Sequence, residues 1–142
     1  MHVKITRIDE SLPLPEYKTE GAVAFDLYAR NQTRIAPGES VRIPSNVIIQ
    51  TPPGYLLLLA ARSSLSKKRG LMLANGIGVI DQDFCGPEDE IQLAIINVGS
   101  ETHVIERGER IVQGTMIKIE RAQWEESEID AQTRGGFGTT GA

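Results

Sequence analysis

Hydrophobic positions along this chain fall in short alternating runs broken by glycine and proline. Val41 and Ile43 flank Arg42, and Ile91, Leu93 and Ile95 flank Gln92 and Ala94. Period-two spacing between turn signals predicts strands. Runs rich in Val, Ile and Leu cover residues 3–8, 40–43, 47–50, 55–60, 90–96, 102–105 and 110–119, with an apolar strand also expected within 22–29. Between them stand Pro13, Pro15, Gly21, Pro37, Gly38, Pro44, Pro52, Pro53, Gly54, Gly70, Gly76, Gly78, Gly86, Pro87, Gly99 and Gly108. Helical spacing is poor throughout. The one helical turn predicted is 64–69, SLSKKR, ended by Gly70. Many short strands with turns between them predict an all-β domain: a sandwich, jelly roll or barrel.

Length supports one domain, since 142 residues lies inside the usual range of about 100–200. Hydrophobic residues at 40% and charged residues at 24% mark a globular chain rather than a disordered one. Fifteen Lys and Arg against nineteen Asp and Glu give a net charge of −4. An acidic balance argues against a broad nucleic-acid surface, but a local pocket can still be positive. The longest uncharged apolar stretch, YLLLLAA at 55–61, is far below the ~20 residues of a membrane helix, so no membrane partner is expected. The first ten residues show no apolar run of a secretory signal, and a single cysteine excludes an intrachain disulfide. A cytoplasmic setting is the expectation. Residues 123–142 differ from the rest. They run from an acidic QWEESEID to a glycine-rich AQTRGGFGTTGA, with little to bury. They read as a frayed tail or as a mobile arm, distinct from a β domain at 1–122.

Four segments carry candidate chemistry, each with two readings. In ARSSLSKKRG (61–70), Arg62 can fork onto phosphate while Ser63 and Ser64 offer hydroxyls; a serine N-cap with a solvated basic turn explains them as well. In LANGIGVIDQDFCG (73–86), Asn75, Gly76 and Gly78 mark a tight turn, and an Asn amide can read a pyrimidine edge. Asp81 follows the apolar run 77–80 and can take a proton from water, or be an Asx-turn residue together with Asp83. Asp26, a lone carboxylate in AVAFDLYA (22–29), pairs with a buried Arg or sits near a metal ion. Arg110 and Gln113 open a strand in GERIVQG (108–114), where a polar solvent face accounts for them equally. Cys85 lacks a Cys/His signature and reads as a small buried hydrophobe. His2 and His103 have no metal-ligand spacing.

Taken in order, AVAFDLYA, ARSSL, NGIGVIDQDFCG, GERIVQG and RGGFGTTG resemble the motifs of the trimeric dUTPase family, spanning residues 22–141. The resemblance implies a distorted β jelly roll (β-clip) with a mobile C-terminal arm. It implies a homotrimer with active sites at subunit interfaces, and Mg²⁺-dependent hydrolysis of dUTP to dUMP and pyrophosphate. By position, Asp81 matches the carboxylate that activates water, and Asn75 the residue that reads uracil. The backbone of Val79 and Ile80 matches the hairpin around the base. Arg62, Ser63 and Ser64 match the phosphate-contacting turn, and Gln113 the glutamine near the α-phosphate. Asp26 and Arg110 match a supporting ion network, with Asp26 reaching Mg²⁺ through water only. Arg134, Phe137, Gly138, Thr139 and Thr140 match the arm that closes over the nucleotide, expected over a neighbouring subunit's site.

The chain departs from that pattern in places. Phe84 stands where the family carries Tyr; it keeps the ring that packs on deoxyribose. Phe here also resembles the related dCTP deaminases, so deamination, alone or combined with hydrolysis, is the first alternative. Against it, Ala94 occupies the place of the deaminases' catalytic Glu, and Lys67 that of their Arg. A non-catalytic nucleotide-binding member of the fold is the second alternative. The turn GPEDE (86–90) is longer than the family's and is expected to add negative charge near the hairpin. Gln92 is placed beside the base, and Arg134 sits closer to Phe137 than is usual in the family.

Overall fold

The computed structural model describes residues 1–65 and 70–137. Eleven strands follow in chain order: β1 (Lys4–Arg7), β2 (Phe25–Tyr28), β3 (Thr33–Ile35), β4 (Ser40–Pro44), β5 (Val47–Gln50), β6 (Tyr55–Ala61), β7 (Leu71–Leu73), β8 (Gly78–Ile80), β9 (Gln92–Asn97), β10 (His103–Ile105) and β11 (Arg110–Lys118). Ser63–Leu65 are helical, and the remainder of the helical turn expected at 64–69 lies outside the described residues. Every ladder is antiparallel. The strands form sheets in the orders β1-β5, β10-β3, β2-β11-β6-β8 and β4-β9-β7. This is the all-β domain expected from the alternating pattern, in the distorted jelly-roll form that the resemblance implied.

One core joins the sheets. Leu27, Ile35, Ile43, Leu57, Leu71, Leu93, Ile95, Ile105 and Val112 are all buried in it. Alternation decides who goes inward. On β9, Leu93, Ile95 and Asn97 are buried while Gln92 is exposed. Asn97, though polar, is satisfied by donating to the carbonyls of Ile35 and Glu101. Strand β2 instead is buried at all four positions, because it carries packing residues on both faces.

A polar hub holds the corner between β4 and β5. Asn46 adopts φ 72°, a left-handed conformation that asparagine tolerates. Its side chain accepts from the Asp9 N–H at 2.7 Å and donates to the Asp9 carbonyl at 3.0 Å. Its own N–H donates to Glu90 Oε1 at 2.8 Å. Glu90 in turn receives both Nε and Nη2 of Arg30, each at 2.8 Å. That forked bond raises the Arg30 guanidinium above its ordinary value, with Glu90 as the main cause. Asp89 accepts from the Gly86 N–H, closing the turn. Within 86–90, Glu90 is thus offset by Arg30 and Asp89 caps the turn, while Glu88 is exposed, so the expected added negative charge is reduced rather than removed.

Candidate active site

Two polar clusters arise from the four-stranded sheet, at opposite ends of β6. The first is built on Asp26. Its strand pairs with β11 in the register Tyr28↔Arg110, Leu27↔Val112 and Asp26↔Gln113, with a bulge at Ile111. The bulge has a direct consequence. Residues three apart on a regular strand face opposite ways, but one inserted residue returns Arg110 and Gln113 to the same face. On β6, Ala60 pairs with Gln113, so Arg62, two residues on, falls on that face too.

Asp26 is 6% exposed. Its Oδ1 lies 3.0 Å from Arg62 Nε, and its Oδ2 accepts from Arg110 Nη1 at 3.0 Å. Arg62 Nη1 donates to the Arg110 carbonyl at 3.3 Å, and Gln113 Nε2 to the Ala61 carbonyl at 3.2 Å. Both arginines keep part of their side chains open to solvent. One buried carboxylate thus aims two guanidiniums toward a recess of about 330 Å³ lined by Arg62, Ser64, Leu65, Gly108, Glu109, Arg110 and Ile111. Ser63 is exposed beside it, at the start of the helical turn. The arrangement suits a phosphate group. Arg110 and Gln113 are half-buried and bonded inward, which corrects the reading of a plain solvent face.

The second cluster surrounds Asp81. Strand β8 pairs with β6 through Leu57↔Ile80, Leu58↔Val79 and Leu59↔Gly78. Asp81 is the first residue beyond that ladder, exposed at a cleft of about 510 Å³ lined with Tyr55, Leu56, Gln82, Asp83, Ile119 and Arg121. The Phe84 N–H points to the Asp81 carbonyl at 3.4 Å, a turn that leaves the carboxylate outward. Phe84 is part-exposed on the same loop. Cys85 is half-buried there, not in the core, with Sγ 3.7 Å from the Gln82 carbonyl.

Asn75 and Gly76 form a tight turn before β8. The Gly76 N–H donates to the Leu73 carbonyl at 3.1 Å, and Gly76 takes φ 73°. The Ala74 N–H donates to the Ala94 carbonyl, so this turn runs alongside the start of β9, where Gln92 is exposed. Leu71–Leu73 and Gly78–Ile80 each join a different sheet, pairing with β9 and β6. One expectation is corrected here: Gly78 is not a turn residue. It is buried in β8, where an added Cβ would meet Leu59 Cβ at 3.0 Å.

The two clusters do not meet in one chain. Continuing the Leu57↔Ile80 register puts Asp81 beside Leu56, six residues from Arg62 along β6. That is about 20 Å at roughly 3.3 Å per residue. Arg134 and Phe137 lie on an irregular segment after β11 and are exposed; Gly138, Thr139 and Thr140 lie outside the described residues. Tyr55, Gln82 and Arg121 at the Asp81 cleft were not singled out by the sequence reading. Gln82 stood inside a quoted motif, but nothing marked Arg121 beyond a charge after the last strand.

Among the described residues no group of three or more His, Cys, Asp and Glu could hold a metal ion. Both Asp26 oxygens are engaged by arginines, so it is not free to ligate a cation directly. No helix among the described residues is long and apolar enough to cross a membrane.

Fold and sites together define a jelly-roll protein with an arginine-lined recess and a separate carboxylate cleft, the equipment for a polyanionic ligand. Comparison with known proteins gives the family. The dUTPase family model matches residues 10–141. A relative from Dictyoglomus turgidum called deoxyuridine 5'-triphosphate nucleotidohydrolase is 39% identical over 148 aligned positions, covering 99% of each chain. The crystal structure of a dUTPase from Streptococcus mutans superposes with a TM-score of 0.79 at 33% identity, covering 87% of this chain and 100% of that one. A dUTPase mutant from phage phi11 of S. aureus, described with a structural Mg(II) ion, shares the fold with a TM-score of 0.83 at 19% identity, covering 92% and 99%. The chain belongs to the dUTPase family.

Proposed function

We propose that this chain is a dUTP diphosphatase, hydrolysing dUTP to dUMP and pyrophosphate in pyrimidine deoxynucleotide metabolism. Family membership supports the substrate, and the observation that carries the mechanism is Asp81 at the mouth of its cleft. There it takes a proton from a water molecule. The water oxygen bonds to the α-phosphorus, the bond to the bridging oxygen breaks, and pyrophosphate leaves. Arg62, Ser63 and Ser64 bind the phosphates, with Gln113 near the α-phosphate. Asp26 and Arg110 hold Arg62 in place, so little reorganisation accompanies the charge that develops.

At the base, Asn75 reads the uracil edge. Strand β8 is an edge strand, so outward backbone groups of Val79 and Ile80 are positioned to assist. Gln92 runs beside the Asn75 turn, and Phe84 packs against deoxyribose. A polar site built for one base edge rejects mismatched analogues strongly, because unmatched groups are left buried. A Mg²⁺ ion would arrive with the triphosphate rather than on a side-chain cluster, and Asp26, with both oxygens on arginines, would reach it only through water. Such an ion would neutralise phosphate charge.

The 20 Å between the two clusters supports a site assembled from different copies, consistent with a homotrimer: Asp81 and Asn75 from one, Arg62 and Gln113 from another. Residues 123–142 form the closing arm of this reading, with Arg134, Phe137, Gly138, Thr139 and Thr140 over the nucleotide of a neighbour and residues 1–122 as the β domain. A cytoplasmic enzyme of this kind needs no membrane or nucleic-acid partner.

The test is pyrophosphate release from dUTP with Mg²⁺, beside dTTP, dCTP and UTP, with ammonia release from dCTP followed in parallel. We expect turnover of dUTP alone and no ammonia. Comparable dTTP turnover would remove the base-specific site, and ammonia would restore the deaminase reading. Asp81→Asn and Arg62→Gln should each abolish most turnover. Refolded together in equal amounts, they should regain about a quarter of wild-type activity, because one site in four then joins two intact halves. Silence in that mixture would place both residues in one subunit's site.

A further inference from the structure

Asp81 sits in an exposed position. It lies one residue past a three-residue edge strand, where pairing frays most readily, and its own N–H and C=O are outside the ladder. Something must fix the far side of it if its carboxylate is to hold a water in line with phosphorus.

We propose that Gln82 is the positioning residue that locks Asp81. Continuing the Leu57↔Ile80 register places Tyr55 opposite Gln82. The Gln82 side-chain Nε2 donates to the Tyr55 carbonyl at 3.0 Å, in a half-buried setting. A side-chain amide thus supplies a bond to β6 just where the backbone ladder has stopped. Asp81 is held between two anchors, the Ile80 backbone pairing before it and the Gln82 amide after it.

The receiving end is itself rigid. Tyr55 lies opposite Lys118 in the β6–β11 ladder, its N–H donates to the Pro52 carbonyl at 3.1 Å, and the Ile119 N–H donates to the Gly54 carbonyl at 2.9 Å. On the other side, the Cys85 thiol meets the Gln82 carbonyl, so the loop is tied at the backbone as well. Tyr55, Leu56, Asp81 and Gln82 line the same cleft. Gln82 needs no contact with the nucleotide to act; it works through the position of Asp81. Small misplacements of a reacting group cost large rate factors.

This inference rests on the reading of Asp81 as the base, and the experiment separates the two. Gln82→Met has the same reach without a donor; Gln82→Lys restores a donor of similar reach. We expect Gln82→Met to lower kcat about tenfold with KM within about twofold and the melting temperature within about 2 °C, and Gln82→Lys to recover at least half of the lost kcat. A Gln82→Met enzyme with wild-type kcat, or one in which only KM rises, would overturn the inference; so would a Gln82→Lys enzyme as slow as the methionine variant. Asp81→Asn is measured beside them. If it is inactive while Gln82→Met is normal, only this inference fails. If Asp81→Asn is active, the proposed base falls, and the inference with it.

Discussion

Replacing Asp26 by Asn tests the arginine anchor most directly. The carboxylate is 6% exposed and accepts from two guanidiniums at 3.0 Å each. Asn keeps the shape but can accept from only one of them, and it turns N–H₂ toward the other. A hydrogen bond to a charged group is worth about 1.5–3 kcal/mol net. Arg62 and Arg110 side chains are 29% and 37% exposed, so water re-satisfies part of what they lose and the lower end applies. The expected cost is about 1.5–2 kcal/mol. For a domain of this size that lowers the melting temperature by roughly 4–8 °C, read by calorimetry at one fixed protein concentration because any assembly would shift it. Pyrophosphate release should fall at least about tenfold as Arg62 loses its tether. The discriminating step is a double-mutant cycle with Arg110→Met. Coupling of about 1–2 kcal/mol between the two substitutions is expected, since they share one bond. Coupling below about 0.3 kcal/mol, or a melting temperature within about 2 °C of wild type for Asp26→Asn, would refute the anchor.

Three further outcomes are expected. The Ser11 hydroxyl and then the Arg107 guanidinium hold the Asp9 carboxyl well below its ordinary 3.8. A depressed folded-state value means that its stabilisation is complete above the ordinary value and lost as pH falls below it. The melting-temperature gap between wild type and Asp9→Asn should be constant from about pH 5 to 8 and close below about pH 4; a pH-independent gap would sink this. Gly114→Ala should lower the urea midpoint by the equivalent of about 1–2 kcal/mol, because the new Cβ would meet Phe25 ring atoms at 2.9 Å and Leu57 Cδ1 at 3.1 Å. An unchanged midpoint would show that the ring yields freely. Deleting residues 134–142 should cost at least about tenfold in kcat with the melting temperature unchanged within about 2 °C; a matching thermal loss would make the tail a structural element.

Strands were legible where alternation ran long enough to count. β6, β9 and β11 hold seven, six and nine residues, long enough to read as strands; alternation names the buried face of β9 in advance, whereas β6 is an unbroken apolar run and β11 carries a bulge. β3, β7 and β8 hold three residues each, too few to show a period, and β8 opens on a glycine that reads as a turn. The same limit hides where β7 and β8 pair. The order of residues 71–80 is that of a strand, a tight turn and a strand, but which neighbours those strands take is set by partners elsewhere in the chain.

The candidate site divides along the same line. That Asp26 needs a cationic partner follows from one carboxylate in an apolar strand. That the partners are Arg62 and Arg110 depends on a bulge at Ile111, which turns Arg110 onto the face of Asp26, and no residue in GERIVQG announces an extra position. The acidic turn 86–90 shows the same limit: its charge is visible in the sequence, whereas the Arg30 that offsets part of it at Glu90 lies sixty residues away. Local chemistry is written in local residues, and geometry is written in register. Register also fixes the most consequential fact about this chain. Asp81 and Arg62 are held at the two ends of one strand whose pairing on both sides forbids bending them together. On the proposed reading, in which both clusters serve one nucleotide, the spacing of β6 calls for a second copy to bring them together.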